Sequence, residues 1–318
     1  MTPTACPACE GPLCLSRRVP AGEPSDPRAF PLWRCEVCES EVTGGPPPGP
    51  ELYEEGMYSS RRPRLPGLVD RLQGRAAAQP VGMLRRAGLA PGGRVLDVGA
   101  GRGRLVAALV AAGYEASGIE PSARSAGLAA AKGLPVARAG IESLPSGKHG
   151  SELDAVVLWH VLEHLDAPLD ALRQISSRLR PGGLLLVGVP NVASLQAAIA
   201  REGWLHLDVP RHRAHHTPLG LRLLLRRAGF STVSTRHVVW EHNPLGMWMS
   251  LLTRVGMSPG FPFHALKRNI ALSPRDLAVC LAGMPALPLA LALEAAGAAL
   301  GRGGTIALVA RRDHPPGL

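Results

Sequence analysis

Four cysteines near the N-terminus are spaced as ligands for one metal ion. Cys6 and Cys9 form one C-x-x-C pair, and Cys35 and Cys38 form a second. Two such pairs can bring four thiolates to a tetrahedral centre, and Zn²⁺ accepts sulfur ligands without redox chemistry. Four protein ligands leave no position for water or substrate. The pattern therefore predicts a structural Zn²⁺ ion in a small N-terminal module that has too few residues for an apolar core of its own.

A glycine-rich turn follows an apolar segment in the middle of the chain. The sequence RVLDVGAGRGRL places Asp97 at the end of the apolar run, followed by Gly99, Gly101 and Gly103. Glycines permit a sharp turn and a close approach of the backbone to a ligand, at the sheet edge where open α/β folds bind cofactors. An acid here repels a pyrophosphate and favours a positively charged ligand, such as an ammonium or a sulfonium. Glu120 follows about 20 residues later, where an acid can accept hydrogen bonds from ribose hydroxyls.

Two histidine-containing segments could supply a general base. Their candidate side chains are His160, Glu163 and His164 in WHVLEHL, and His212, His215 and His216 in DVPRHRAHH. A histidine can accept the proton of a hydroxyl, an amine or a carbon acid during group transfer. If residues 160–164 begin a helix, His160 and His164 share one face of it.

Each histidine segment also has a second interpretation. The first has an H-x-x-x-H spacing, but it lacks the H-E-x-x-H order and a third ligand, so we expect no metal ion there. In the second, Thr217 can cap a helix that begins with Pro218. The histidines before it could then serve that cap, the acceptor site, or both.

Apolar runs of β type alternate with helical segments through most of the chain. The runs lie at 94–100, 114–120, 134–140, 153–160, 184–191, near 232–240, and at 305–312. This alternation indicates crossover connections and an open, doubly wound α/β fold with helices on both faces of a parallel sheet. The Pro/Gly-rich stretch GGPPPGP separates it from the cysteine module. We place the module at 1–45, a linker at 46–68 and the α/β domain at 69–318.

An apolar segment at 277–300 lies within a mostly helical insertion at about 241–303. The segment is long enough to raise the possibility of a membrane helix. Pro285 and Pro288 would break such a helix in its first half. We expect helices packed on the domain or at a dimer contact; attachment to a lipid surface and a true membrane span are the alternatives.

The net charge, its distribution and the first residues of the chain indicate which partners and which compartment to expect. The formal net charge is +10, but only three of the 35 basic residues are lysine and the arginines are dispersed. A dispersed excess of this kind favours solvated basic faces over a nucleic-acid surface. The first residues, MTPTACPACEGP, do not resemble a secretory signal, so we expect a cytoplasmic protein with reduced cysteines.

Several motifs in a fixed order resemble class I S-adenosylmethionine-dependent methyltransferases. They are VLDVGAGRGRL, GIEPSA, LDAVVLWHVLEHLDAP and LRPGGLLLVGVPN, within residues 70–240. The resemblance implies a Rossmann-like sheet of seven strands, with TIALVARR as an antiparallel last strand. It also implies contacts to the cofactor, from Asp97, Gly99, Ala100 and Gly101 at its methionine end, Glu120 at its ribose, and Trp159 and His160 beside its sulfonium.

One position departs from that family pattern. Relatives commonly carry an acid that binds the adenine amino group, and this chain has Gly140 in its place. Adenine recognition is then expected from packing by Ile141, from main-chain groups, or from the carboxylate of Glu142.

The segment from Gly203 to Phe230 resembles a zinc-ribbon-bearing subgroup of the family and its ubiquinone-biosynthesis relatives. In them it covers the acceptor pocket, which implies that His212, His215 or His216 contacts the acceptor. The chain is also similar to sugar C-methyltransferases, which have a cysteine-rich module and tyrosines that reach the active site from the region after it. This similarity implies that Tyr53 and Tyr58 fold over the cofactor as a lid. The expected activity is methyl transfer to oxygen, carbon or nitrogen of a small or lipid-linked metabolite. A ribosomal-RNA base methyltransferase and a zinc-ribbon binding protein with a non-catalytic, cofactor-sensing domain are the alternatives.

Overall fold

The computed structural model describes residues 3–23, 26–49, 52, 66–144, 152–239 and 243–313. Tyr53 and Tyr58 lie outside these ranges. The described strands are β1 (Leu13–Pro20), β2 (Ala29–Cys35), β3 (Glu41–Thr43), β4 (Arg94–Val98), β5 (Glu115–Glu120), β6 (Val136–Arg138), β7 (Leu153–Trp159), β8 (Leu179–Pro190), β9 (Ala214–His215), β10 (Phe230–Arg236) and β11 (Thr305–Arg312). The described α-helices are α1 (Pro66–Arg86), α2 (Arg104–Ala111), α3 (Ala123–Ala130), α4 (Pro168–Arg178), α5 (Leu195–Ala200), α6 (Pro218–Arg227), α7 (Asn243–Thr253), α8 (Phe261–Leu266), α9 (Pro274–Ala282) and α10 (Leu287–Ala299).

The central sheet confirms the predicted fold class. Its seven strands have the order β10-β11-β8-β7-β4-β5-β6. Strand β11 pairs antiparallel with β8 and with β10, and the other pairs in the sheet are parallel. The expected strand near 232–240 begins earlier, at Phe230, and ends at Arg236. The parallel strands therefore end together at one edge of the sheet, which carries the glycine turn.

The two faces of the central sheet pack against separate apolar cores. Val156 and Leu158 of β7 pack with apolar residues of α4 and α6. Ala155 and Val157 of the same strand pack with residues of α1 and α2 on the opposite face. Because successive side chains of a strand point to opposite faces, a strand covered on both sides has an unbroken apolar run. Burial of both faces of β7 explains why the stretch DAVVLW is almost continuously apolar. The strand ends at the edge of the sheet that carries the glycine turn.

The cysteine module shares a sheet with the α/β domain. The second sheet is antiparallel, with the order β1-β2-β3-β9. Its last strand comes from the histidine-rich segment, because Glu41 pairs with His215 and Val42 pairs with Ala214. Although the module occupies only the start of the chain, it is hydrogen-bonded to the loop that follows β8.

The insertion between β10 and β11 is helical in its described part. Helices α7 to α10 enclose a small apolar core that includes Met247, Trp248 and Phe261. Among the described residues, no single helix meets the length and hydropathy of a membrane span. Helices Pro274–Ala282 and Met284–Ala299 meet them only as a pair, and they are bent by 46°.

Candidate active site and metal centre

The glycine turn leaves the end of β4 as a compact loop. Gly99, Gly101 and Gly103 have φ angles of +72°, +53° and +73°, which residues with a Cβ rarely adopt. The N–H groups of Gly99 and Ala100 donate to the carbonyl oxygen of Ile119 at 2.9 and 3.0 Å, which ties the turn to β5. A Cβ at Gly99 would lie 2.5 Å from Cγ2 of Val161, whereas one at Gly101 would meet no protein atom within 4 Å. The turn is therefore closed on one side and open above Gly101.

Two carboxylates stand beside this opening. Asp97 is 3% exposed, and burial together with the charge of Glu120 raises its pKa to about 8. Glu120 accepts hydrogen bonds from the N–H of Gly101 and from the N–H of Ser122, both at 2.8 Å. These bonds hold the Glu120 carboxylate against the glycine turn. A cationic ligand would favour the ionised form of Asp97.

The predicted adenine-binding residues form a turn after β6. Residues Ile141–Ser143 make one 3₁₀ turn, in which Ile141 is half-buried and Glu142 is exposed. A Cβ at Gly140 would overlap the carboxylate of Glu142. The Glu142 carboxylate thus lies where a longer residue at position 140 would begin. The glycine at 140 makes room for this arrangement.

Trp159 and His160 end β7 next to the glycine turn. The indole of Trp159 covers Gly188, because a Cβ there would lie 2.7 Å from Trp159 Cε3. The His160 N–H donates to the Gly188 carbonyl oxygen at 2.9 Å, and its φ of +56° turns the chain sharply. Nδ1 of His160 lies 3.1 Å from Oε1 of Glu163.

The condition under which His160 and His164 would share a helix face is not met, because residues 160–164 do not begin a helix. A 3₁₀ turn spans Leu162–His164, and α4 begins only at Pro168. Proline fits the first position of a helix and disfavours helical backbone at the residue before it. His160 and His164 therefore share no helix face: His160 contacts Glu163, and Nδ1 of His164 donates to the Arg211 carbonyl oxygen at 3.1 Å.

The second histidine group is buried between the sheet edge and the cysteine module. His212, His215 and His216 are 6%, 4% and 1% exposed. The Thr43 hydroxyl donates to the His212 carbonyl oxygen at 2.7 Å and lies 2.9 Å from Nε2 of His215. Since that hydroxyl has one proton, Nε2 of His215 donates to it and Nδ1 carries the lone pair. Neither ring nitrogen of His216 has a hydrogen-bond partner among the described residues.

Burial also determines the charge of these rings. It lowers the pKa of His216 to about 4 and the pKa of His215 well below its ordinary value. Both imidazoles are therefore neutral at pH 7. His206, which the sequence did not single out, is buried here as well, and burial lowers its pKa to about 3. Its ring lies parallel to that of His160 with centroids 6.3 Å apart.

The predicted helix cap is confirmed and links the loop to the cysteine module. Thr217 caps α6, because its Oγ1 accepts from the N–H of Gly220 at 3.0 Å, and Pro218 occupies the first turn. The same hydroxyl donates to the Cys38 carbonyl oxygen at 2.6 Å. The Ser40 hydroxyl accepts from the N–H of Thr217 at 3.2 Å. One threonine thus joins the second C-x-x-C pair to the helix that follows the histidines.

The four cysteines converge as their spacing predicted. Sγ of Cys6 lies 3.6 Å from Sγ of Cys38, and Sγ of Cys9 lies 3.4 Å from Sγ of Cys35. The four sulfur atoms are all within 4.8 Å of one another, and no two cysteines are joined by a disulfide. A tetrahedral Zn²⁺ with Zn–S bonds of about 2.3 Å needs S–S distances of about 3.8 Å. The thiol cluster therefore has the donors and the size for one Zn²⁺ ion.

Comparisons with known proteins agree with this geometry. Residues 69–235, over half of the chain, match the family model described as a methyltransferase domain. The ubiquinone biosynthesis O-methyltransferase of Aromatoleum aromaticum is 31% identical over 180 residues, which cover 52% of this chain and 75% of the relative. The corresponding enzyme of Bordetella avium is 32% identical over 178 residues, 52% of this chain and 72% of the relative.

One solved structure shows the same fold at low identity. A candidate sarcosine dimethylglycine methyltransferase from Galdieria sulphuraria has a TM-score of 0.50 at 16% identity, covering 75% of this chain and 86% of that chain. The cysteine module and the helical insertion lie outside residues 69–235. The sheet order, the glycine turn and these matches lead to one conclusion: the chain belongs to the methyltransferase domain family and is a class I S-adenosylmethionine-dependent methyltransferase.

Proposed function

We propose that this protein transfers the methyl group of S-adenosylmethionine to an oxygen, carbon or nitrogen atom of a small or lipid-linked metabolite. The observation that carries the proposal is the burial of residues 208–216, which we call the histidine loop. This loop lies between the cysteine module and the edge of the central sheet that carries the glycine turn. Strand β9 and the hydrogen bonds of Thr43 hold that loop in place. An acceptor bound there would be shielded from water and close to the end of β7. The two ubiquinone biosynthesis enzymes that this chain resembles are O-methyltransferases by name, which favours oxygen as the accepting atom.

The cofactor would lie along the carboxyl edge of the sheet. The turn formed by Gly99, Ala100 and Gly101 would receive its methionine end, with Asp97 facing the positive charge. Open space above Gly101 fits this assignment, because a Cβ there would meet no protein atom within 4 Å. Glu120 would then hold the ribose.

The remaining cofactor contacts follow from the same placement. Ile141 and Glu142 would contact the adenine, with the carboxylate of Glu142 taking the role of the acid that relatives carry at the position of Gly140. Trp159 and His160 would flank the sulfonium, since both lie at the end of β7.

The histidine loop would bind the acceptor and accept its proton. Transfer from a sulfonium requires an acceptor electron pair in line with the methyl group, and a hydroxyl or a neutral amine gives up a proton before or as the new bond forms. His215 is oriented for this, because Nε2 donates to Thr43 and leaves the lone pair on Nδ1. The unsatisfied nitrogens of His216 would bind a polar group of the acceptor. His212 and His160 complete the candidate acceptor contacts.

The four thiolates would bind a structural Zn²⁺ ion that keeps the histidine loop in place. Thr217 reaches the Cys38 carbonyl oxygen at 2.6 Å, and a Cβ at Gly220 would lie 3.2 Å from Sγ of Cys38. Helix α6 therefore packs directly on the second C-x-x-C pair. Metal binding would fix the position of this pair and, through Thr217, the loop before the helix.

Calorimetry and isotope transfer test the proposed function. Titration with S-adenosylmethionine and with its demethylated product should show binding of both; binding of neither would contradict the assignment. Radiolabelled methyl groups should then appear in a small-molecule or lipid extract incubated with the enzyme. Label found only in total RNA would replace the metabolite with a nucleic-acid substrate. Cofactor binding without label in either extract would favour a cofactor-sensing protein.

The helical insertion offers a surface for a lipid bilayer, which would suit a lipid-linked acceptor. Leu281, Leu289 and Leu300 are 73%, 56% and 77% exposed. The two acids of residues 243–300, Asp276 and Glu294, are only 5% and 4% exposed. The basic residues of the same range are exposed or half-buried: Arg254, Lys267, Arg268 and Arg275. Exposed leucines in a segment whose acids are buried and whose exposed charges are basic fit an anionic lipid surface.

Vesicle sedimentation tests this surface. The protein should bind vesicles of phosphatidylglycerol and phosphatidylcholine, and the double change Leu281→Glu and Leu289→Glu should weaken binding at least tenfold. Val233→Glu, at an exposed apolar residue of β10, is the matched control and should bind as the wild type does. A dimer that the double change dissociates, without vesicle binding by the wild type, would show that a second copy covers this surface instead.

A further inference from the structure

A second group of possible metal ligands lies under the histidine loop. Glu163, His164 and His212 each offer one ligand atom, and these atoms are all within 4.8 Å of one another. Glu163 and His212 are 1% and 6% exposed. One carboxylate and two imidazoles form a donor set used by catalytic Zn²⁺ and by other divalent transition metals. The spacing of WHVLEHL offered no third ligand, and the fold supplies it from the loop after β8.

Both imidazoles are held as metal-binding histidines usually are. Nδ1 of His164 donates to the Arg211 carbonyl oxygen at 3.1 Å, and Nδ1 of His212 donates to the His206 carbonyl oxygen at 2.8 Å. A neutral ring that donates from Nδ1 carries its lone pair on Nε2. Hydrogen bonds from the non-ligating nitrogen to carbonyl oxygens orient metal-bound histidines in many sites.

The carboxylate of Glu163 has one oxygen to spare. Its Oε1 accepts from Nδ1 of His160 at 3.1 Å, whereas Oε2 is buried with no hydrogen-bond partner among the described residues. A buried carboxylate oxygen without a partner is costly, and a cation would satisfy it. The Glu163 carbonyl oxygen also accepts from the N–H of Arg213 at 2.7 Å. This bond fixes the turn that carries Glu163 to the loop that carries His212.

We propose that Glu163, His164 and His212 bind a divalent transition-metal ion whose remaining coordination positions accept an oxygen of the acceptor. Two nitrogen ligands favour Zn²⁺, Mn²⁺ or Fe²⁺ over Ca²⁺ and Mg²⁺. A metal-bound hydroxyl has a lowered pKa, so the ion would assist transfer of its proton to the proposed base, Nδ1 of His215, before methyl transfer. That consequence rests on the proposed function, whereas metal binding does not.

Electron paramagnetic resonance of Mn²⁺ tests the site on zinc-loaded protein whose zinc content is limited to one ion per chain, the ion of the four cysteines, because excess Zn²⁺ would occupy the second site as well. Mn²⁺ prefers oxygen and nitrogen to thiolate, so it reports on this site and not on the four cysteines. Titration should show one binding site from the loss of the free-ion signal. Glu163→Gln and His212→Gln should each weaken binding at least tenfold. His237→Gln, at a partly buried histidine outside the group, is the matched control and should bind as the wild type does.

Two results would overturn the proposal. One is a zinc-loaded wild type that does not bind Mn²⁺, and the other is equal weakening by His237→Gln and by the two ligand changes. If a ligand variant fails to fold, pulsed spectra of the wild type decide the matter: bound Mn²⁺ should couple to imidazole nitrogen, and absence of that coupling would refute the site. Neither readout involves methyl transfer, so failure here leaves the proposed function to its own experiments.

Discussion

The buried acid of the glycine turn should make cofactor binding release a proton. Burial and the charge of Glu120 raise the pKa of Asp97 to about 8. At pH 7 roughly nine in ten Asp97 carboxyls are then protonated in the cofactor-free protein. A bound sulfonium and ammonium would favour the carboxylate, so binding at this pH should release about 0.9 proton. The sign follows from the raised pKa: affinity increases with pH up to about 8 and then levels off.

The same linkage gives the change in affinity. If the pKa of Asp97 in the complex falls well below 6, the dissociation constant should decrease about ninefold between pH 6 and pH 7. This range also keeps the cofactor ammonium largely charged, since an α-amino group titrates near pH 8. Calorimetry of S-adenosylmethionine in buffers of different ionisation enthalpy measures the protons released and the affinity together.

Asp97→Asn isolates this contribution. The amide cannot titrate, so the variant should bind more weakly at pH 7, release almost no proton and lose most of the pH dependence. Glu115→Gln removes an exposed carboxylate at the start of β5 and should behave as the wild type does. Equal proton release by the wild type and Asp97→Asn would show that the released proton does not come from Asp97. A wild-type affinity that does not change between pH 6 and pH 7 would contradict the predicted pH dependence.

Three further predictions concern stability and metal content. Gly101→Ala should lower the free energy of unfolding by about 1–2 kcal/mol, because the backbone at this position is left-handed. Gly99→Ala should lower it more, because the added Cβ would also lie 2.5 Å from Val161. Equal losses in chemical denaturation would contradict the described packing of this turn. Thr217→Val should lower stability by about 1–2 kcal/mol through loss of the helix cap, with Thr217→Ser as the control that restores it; an unchanged melting temperature for the valine variant would refute the cap's contribution. Cys35→Ser should lose the thiolate-bound Zn²⁺ by elemental analysis and reduce methyl transfer more than cofactor affinity; full metal content would rule out the four-thiolate site.

Much of the cofactor site follows from short stretches of sequence. The apolar run before Asp97 and the glycines after it predicted a strand and a turn, because strand pairing and positive φ angles depend on residue type locally. Thr217 caps α6, as expected. The sequence was less informative at WHVLEHL, where helical spacing suggested a helix. Pro168, four residues beyond His164, sets the start of α4 instead.

The acceptor region depended on contacts between residues distant in the chain. Nothing in the local pattern placed His215 against Thr43, or His206 beside His160. No spacing rule joined His212 to Glu163, because their approach requires the loop after β8 to fold back over the end of β7. The metal-binding donors, the glycine turn and the strands were predictable from residue order, since each depends on neighbours a few residues away. Which histidines meet depends on the folded chain, because packing of the cysteine module and pairing of β3 with β9 hold the loop after β8 in place.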